Sequence, residues 1–210
     1  MVNKDSNPLT DQENFWAGTF GEAYIDRNNS NSLLASNLDF FSRSLKSAGP
    51  INSCCEFGAN IGMNLKAIQL LMPLVKITGV EINQKAAGEL ARLIGKENTF
   101  VGSISEYEVK TTVDLALIKG VLIHINPEQL PNVYQTLYES SHRYILVAEY
   151  YNRTPIEISY RGHSGKLFKR DFAGELLDLF PDLQLLDYGF AYHRDRKFPQ
   201  DDISWFLLEK

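Results

Sequence analysis

Short unbroken apolar runs alternate in this chain with stretches where apolar residues recur every three or four positions. The runs at 51–57, 76–81, 113–118 and 144–149 carry little polar punctuation, as fits strands buried on both faces of a parallel sheet. A weaker run at 98–102 reads as a short strand. Helical spacing covers 61–72, closed by Pro73, and 84–94, ending near Gly95; proline cannot continue a helix and glycine commonly ends one. Pro127 is placed for the first turn of a helix reaching Ser141, and a further helix is expected at 169–180 ahead of Pro181. Near the start, 12–24 and 32–47 read as two helices broken by the polar turn at 26–31. Trp16, Phe20 and Tyr24 share one face of the first, a stripe expected to pack inward. The chain closes with strands at 184–191 and 203–209 joined by a loop without a helix, so that pair is antiparallel. The alternation predicts an α/β fold of Rossmann-like type: a mostly parallel seven-stranded sheet, an antiparallel last strand, and helices on both faces.

Length makes this one domain with a sizeable core: 210 residues, of which 44% are hydrophobic and 22% charged. The polar stretch 1–13 is expected to be frayed, and 14–210 to form the single domain. Within it, 14–47 reads as a helical cover and 150–168, rich in Tyr, Arg, Gly and His, as a loop beside the site. The apolar runs are too short for a membrane-spanning helix and the first residues lack a signal-peptide core. A cytoplasmic protein without a membrane partner is therefore expected. The formal net charge of −5 lacks the basic excess of a nucleic-acid binder. Cys54 and Cys55 are adjacent in a strand and face opposite ways, which predicts buried thiols rather than a disulfide. Neither a Cys-x-x-Cys motif nor paired histidine spacing marks a metal site.

The chemistry concentrates in CEFGANIG, 55–62, answered by GVEIN at 79–83. The first segment carries a strand through a glycine-bracketed turn into a helix, and the second ends a strand on a carboxylate. An acid at the end of the second strand is the usual ribose anchor of nucleotide-binding α/β folds, a role that falls to Glu81. The spacing is acid-x-Gly-x-x-x-Gly rather than the G-x-G-x-x-G that seats a pyrophosphate. Glu56 would repel phosphate oxygens but suits a cation. S-adenosylmethionine (SAM), with its sulfonium and ammonium, meets that requirement, and S-adenosylhomocysteine (SAH) is its demethylated product. Gly58, Asn60 and Gly62 are expected around the methionine moiety, with Glu56 by its amino group. Glu81 and Ile82 are expected at the ribose and Ser103 and Ile104 at the adenine. Lys119 belongs where the sulfonium emerges, and Tyr24 or Arg27 of the helical cover by the methionine carboxylate. Asn83 reads as a helix N-cap. This site and the strand order together describe a class I methyltransferase layout.

Several segments beyond the glycine loop resemble the pseudaminic acid biosynthesis-associated methylases, a family of class I methyltransferases. They are FWAGTFGEAY at 15–24, KGVLIHINPE at 119–128, YRGHS at 160–164 and KRDF at 169–172. HRD at 193–195 and FPQDDISWF at 198–206 complete the set, and the last two are the more distinctive. The resemblance implies O-methylation of a nonulosonic (pseudaminic-type) acid, free or CMP-activated, so the partner expected is a small acidic sugar. A sugar hydroxyl needs a general base within hydrogen-bond reach. His124, His163 and His193 all fall in loops after strand ends, where sites of open α/β sheets gather. Arg161 heads the candidates for a carboxylate or phosphate, backed by Lys169 and Arg170, with Tyr150 lining the acceptor pocket. Other acceptors, such as another acidic metabolite or an amino sugar, and a SAM-binding scaffold without turnover remain alternatives. The oligomeric state is not legible.

Overall fold

The computed structural model of the chain describes residues 9–25 and 30–210, apart from the side chains of Ala23 and Tyr24. The order begins α1 (Asp11–Ala17), α2 (Thr19–Ile25), α3 (Asn31–Ser44), β1 (Ser53–Phe57), α4 (Met63–Leu71), β2 (Lys76–Glu81) and α5 (Gln84–Ile94). It continues with β3 (Thr99–Val101), β4 (Val113–Lys119), α6 (Leu130–Ser140), β5 (Ser141–Glu149) and a small ladder of β6 (Ile156–Glu157) with β7 (Phe168–Lys169). Helix α7 (Phe172–Leu179) and strands β8 (Gln184–Ala191) and β9 (Ile203–Glu209) close the domain.

The main sheet has seven strands in the order β3-β2-β1-β4-β5-β9-β8. Neighbours from β3 to β5 are parallel, and β9 runs antiparallel to both β5 and β8. This is the predicted sheet. Strand β1 lies beside the central β4, so the loop after it opens where crossovers diverge to the two sides, the position at which open α/β sheets bind ligands. Alternate residues of the central strands feed two cores. Cys54, Leu115, Leu117, Tyr144 and Leu146 pack with Phe40, Phe41, Leu65, Ile68 and Leu90 from α3, α4 and α5. Cys55, Phe57, Ala116, Ile118, Ile145 and Val147 pack with Val133, Leu137, Phe172 and Leu176 from α6 and α7. The two cysteines are free and buried, one in each core. Helix α6 buries Leu130, Val133, Tyr134 and Leu137, the spacing of one inward stripe. No described helix is long and apolar enough to cross a membrane.

Four local expectations shift. The helix expected over 12–24 is two helices, because Gly18 takes an extended backbone that ends α1. That helix already starts inside the stretch expected to be frayed: Thr10 and Glu13 cap each other reciprocally, a capping box that satisfies two otherwise open N–H groups. The helix expected from 169 starts at Phe172, since the Asp171 side chain accepts from Gly174 N at 2.9 Å and fixes the cap there. Lys169 accordingly belongs to β7, and the β6–β7 ladder gives order to the two ends of the loop expected to be irregular. Residues 26–29, including Arg27, and the Tyr24 side chain lie outside the described residues.

Candidate functional site

The C-terminal ends of β1, β2 and β4 border one cavity, roofed by α1. The loop after β1 folds back on itself: Gly58 and Ala59 N–H groups both donate to Val80 O, at 2.9 and 3.0 Å. Gly58 and Gly62 hold φ of +76° and +84°, the left-handed region that favours glycine. A Cβ on Gly58 would meet Val121 Cγ2 at 2.4 Å, and one on Gly62 would meet Leu90 and Leu93 at 2.8 Å. Both glycines are thus required by close packing as well as by conformation. Gly62 starts α4 against α5 and does not line the cavity, whereas Gly58 does.

Glu81 ends β2 at the cavity wall. Its Oε2 accepts from Asn60 N and its Oε1 from Asn83 N, each at 2.7 Å. Each oxygen keeps a second lone pair, so the carboxylate is aimed and still able to accept. Burial raises its pKa, against the opposing pull of those backbone bonds. Glu56 lies one strand away, fully enclosed behind the cavity lining. Its Oε1 accepts from Asn64 Nδ2 at 2.6 Å, and its Oε2 is buried without a partner. Burial pushes its carboxyl up to about 8, despite help from Asn64 and Lys119. Asn60 Oδ1 is likewise buried and unpartnered. Asn60 lines the cavity, and its orphaned acceptor suits a hydrogen-bond donor there.

Gly102, Ser103 and Ile104, past β3, line the cavity together with Val80 and Ile82. Ser103 Oγ bonds Glu13 Oε1 of α1 and sits 2.8 Å from Ser105 Oγ. Lys119 and Gly120 line the end of β4. Lys119 is enclosed by protein yet presents surface to the cavity, and it is the single lysine or arginine among the described lining residues. Its Nζ lies 5.4 Å from the centre of the Phe40 ring, and burial lowers its pKa.

The histidines separate. His124 lines the cavity, with Trp16 and Tyr160 rings at 4.5 and 5.0 Å. Its Nδ1 lies 2.6 Å from Lys166 O, a carbonyl, so Nδ1 carries the proton. Burial drops its pKa to about 4, leaving Nε2 an acceptor at neutral pH. His163 is exposed and packs edge-on against Phe15 at 5.1 Å, outside the cavity lining. His193 is exposed too, paired with Asp202 at 2.8 Å. The expected anion-binding residues also stand apart from the cavity. Arg170 pairs with Glu175 at 2.7 Å, Lys169 lies over the Tyr150 ring at 5.2 Å, and Arg161 is exposed beside Tyr160. Tyr150 packs between the two cores and does not line the cavity.

The cavity also takes residues not expected from the sequence. Asn37 comes from α3, Asn64 from the first turn of α4, and Asp201 from the loop before β9. Side chains in a first helical turn lean back toward the N-terminus, which brings Asn64 over the glycine loop. Asn37 is buried and accepts from Gln200 Nε2 at 2.8 Å, which ties α3 to the loop carrying Asp201. Glu149, at the end of β5, accepts from Val121 N and Leu122 N, both at 2.9 Å, and so holds the turn after β4 against Gly58. Helix α1 covers the cavity with Gln12, Glu13 and Trp16. It is tied on one side through Asn83 Nδ2 to Trp16 O and Ala17 O, both 3.2 Å. On the other side Gln12 Nε2 donates to Gly165 O at 2.9 Å and Lys166 Nζ to Asp11 O at 2.7 Å.

No protein-family model and no curated protein sequence matches this chain. Solved structures do match in fold. The 1,6-didemethyltoxoflavin-N1-methyltransferase of Burkholderia thailandensis, bound to 1,6-didemethyltoxoflavin and SAH, aligns with a TM-score of 0.70 at 15% identity, over 98% of this chain and 92% of that one. The magnesium protoporphyrin IX methyltransferase of Synechocystis PCC 6803, with bound SAM, aligns at 0.65 and 12% identity, over 98% of this chain and all of its own (100%). A SAM-dependent methyltransferase from Archaeoglobus fulgidus aligns at 0.64 and 13%, over 91% and 100%. The fold is the Rossmann-like fold of class I methyltransferases.

Proposed function

We propose that the chain is a SAM-dependent methyltransferase and that its acceptor is the hydroxyl of a nonulosonic acid, free or CMP-activated. The observation that carries the first half is Glu81, a buried carboxylate aimed at the cavity wall by two backbone N–H groups, in a cavity with a single cationic side chain among its described lining residues. An aimed carboxylate at a strand end disfavours a pyrophosphate and receives the hydroxyls of a nucleoside. The unpartnered Oδ1 of Asn60, a residue lining the cavity, fits a donor of an α-ammonium group. The fold shared with methyltransferases crystallised with SAM or SAH supports the same reading. The sugar half rests on the resemblance carried by 160–164, 169–172 and 193–206.

When bound, SAM supplies an electrophilic methyl carbon on a positive sulfur. The chain's residues do the rest. Glu81, aimed by Asn60 and Asn83, accepts from the ribose hydroxyls. Gly58, Asn60 and Ile82 flank the methionine and ribose portions, and Ser103 and Ile104 border the adenine. Trp16 and Gln12 exclude water from above. His124, whose Nε2 accepts but binds a proton only weakly, orients a hydroxyl rather than deprotonating it.

Two measurements test the reading in sequence. Calorimetry with SAM comes first, and micromolar or tighter binding is expected. Incubation with SAM and a panel of free and CMP-linked nonulosonic acids follows, with mass spectrometry reading a gain of one CH₂. Binding without gain on any of them would discard the sugar and keep the cofactor.

A further inference from the structure

We propose that Lys119 is the proton acceptor of the methyl-transfer step, made competent by the cofactor's own positive charge. This deepens the methyltransferase reading and rests on it. Lys119 ends β4 at the central opening of the sheet and lines the cavity with Asn37, Asn64 and Asp201. Among the described residues its ammonium makes no ion pair within 4.0 Å. The groups that face it are known from each side. Glu56 comes from β1, Glu149 from β5, Asp201 from the loop before β9, and the apolar Phe40 ring from α3. The three acids favour the charged lysine, while enclosure disfavours it and prevails. Glu56 loses much of its stabilising effect below about pH 8, since burial keeps it protonated there.

A sulfonium bound in the same cavity adds a second positive charge near an ammonium already short of solvent. Like charges within a few ångströms disfavour each other's presence. The sulfonium cannot lose its charge, so the lysine yields its proton to solvent before transfer. Neutral Lys119 Nζ then takes the proton from the acceptor hydroxyl as the O–CH₃ bond forms. The S–CH₃ bond breaks with its electron pair left on sulfur. The products are the methyl ether, neutral SAH and the Lys119 ammonium, which returns its proton to solvent. With the sulfonium gone, the recharged lysine no longer has a like charge beside it. His124 binds protons too weakly for this role, and neither His163 nor His193 lines the cavity.

The test uses the full chain labelled with ¹⁵N-lysine, with the Lys119 resonance assigned by its loss in Lys119→Arg. Side-chain amines are titrated by NMR in the SAM and SAH complexes. The expected result is that Lys119 titrates below the other lysines, and lower with SAM than with SAH. Equal titration in the two complexes, or titration with the bulk lysines, overturns the assignment. Turnover on an acceptor that gains CH₂ gives a second readout. Lys119→Met and Lys119→Arg are both expected to lower kcat by about 100-fold or more. The methionine variant keeps the Kd for SAM within about threefold of the parent, while the arginine variant, charged beside the sulfonium, binds SAM more weakly. Arginine keeps the charge but does not deprotonate. An arginine variant that retains turnover, or a methionine variant losing SAM affinity as steeply as kcat, would place Lys119 on a carboxylate instead and overturn the role. Failure of the parent protein to bind SAM would overturn the methyltransferase reading, and this assignment with it.

Discussion

Glu81 and Glu56 are chemically alike and one strand apart, yet their surroundings assign them different work. Glu81 accepts from two backbone N–H groups and reaches the cavity wall, so it is built to bind. Replacing it with alanine removes an acceptor of charge-assisted bonds, each about 1.5–3 kcal/mol. SAM affinity measured by calorimetry should fall by tenfold or more, with the fold intact by circular dichroism. Glu56 is enclosed, with one oxygen orphaned, and its effect appears in stability. Its folded carboxyl sits at about 8 against 4.5 for the free group. Between those values the unfolded chain is ionised there while the folded chain keeps the proton, so stability falls as pH rises through the window. Glu56→Gln removes that dependence. Its melting temperature should exceed the parent's at pH 8.5 by roughly 10 °C and approach it at pH 5; a constant gap would refute the assignment. His124 acts in the opposite sense. Its folded value of about 4 lies below the ordinary 6.5, so stability is lost as pH falls from 6.5 toward 4.

Asn83 shows how one side chain links two helices. Its Oδ1 accepts from Lys85 N and Ala86 N, capping α5, while its Nδ2 holds the carbonyls that end α1. Losing a cap costs about 1 kcal/mol. Asn83→Ala should therefore lower the melting temperature by roughly 2–4 °C and speed amide hydrogen exchange in α1 and α2 more than in α4. The cap half of this role was legible in the sequence, because Asn before a helical period is a local signal. The carbonyl half was not, because Trp16 lies 67 residues away and nothing local encodes the meeting. The glycine loop was legible for a related reason: its conformation is set by its own residues. Its packing was not, and Gly58→Ala tests that. A left-handed alanine costs about 1–3 kcal/mol before the clash with Val121, so chemical denaturation should show a loss of at least that size.

The whole sheet was readable from the sequence because its central strands are buried on both faces and so appear as unbroken apolar runs. The acceptor side was not. Arg161, Lys169 and Arg170 looked like an anion pocket from their clustering, but pairing geometry sends Arg170 to Glu175 and Lys169 over Tyr150. Asn37, Asn64 and Asp201 converge from three distant segments, a meeting that only the topology creates. For the domain as a unit, a ligand that binds only the folded state raises its stability by about 2.7 kcal/mol at 100 times Kd. SAM at that excess should raise the melting temperature by roughly 5–10 °C, and an uncharged adenosine should do much less.

Helix α1 is moored at both ends of the cavity, to Asn83 on one side and to Gly165 and Lys166 on the other. That double mooring has a kinetic meaning. With SAM beneath it and the proposed acceptor beside it, a roof fastened to the loop at 165–166 would leave little room to exchange the first while the second is in place. The expected sequence is therefore compulsory, with SAM entering first and SAH leaving last. Steady-state inhibition by SAH should be competitive against SAM and noncompetitive against the acceptor. Cutting either mooring should loosen that order and shorten the residence time of SAH.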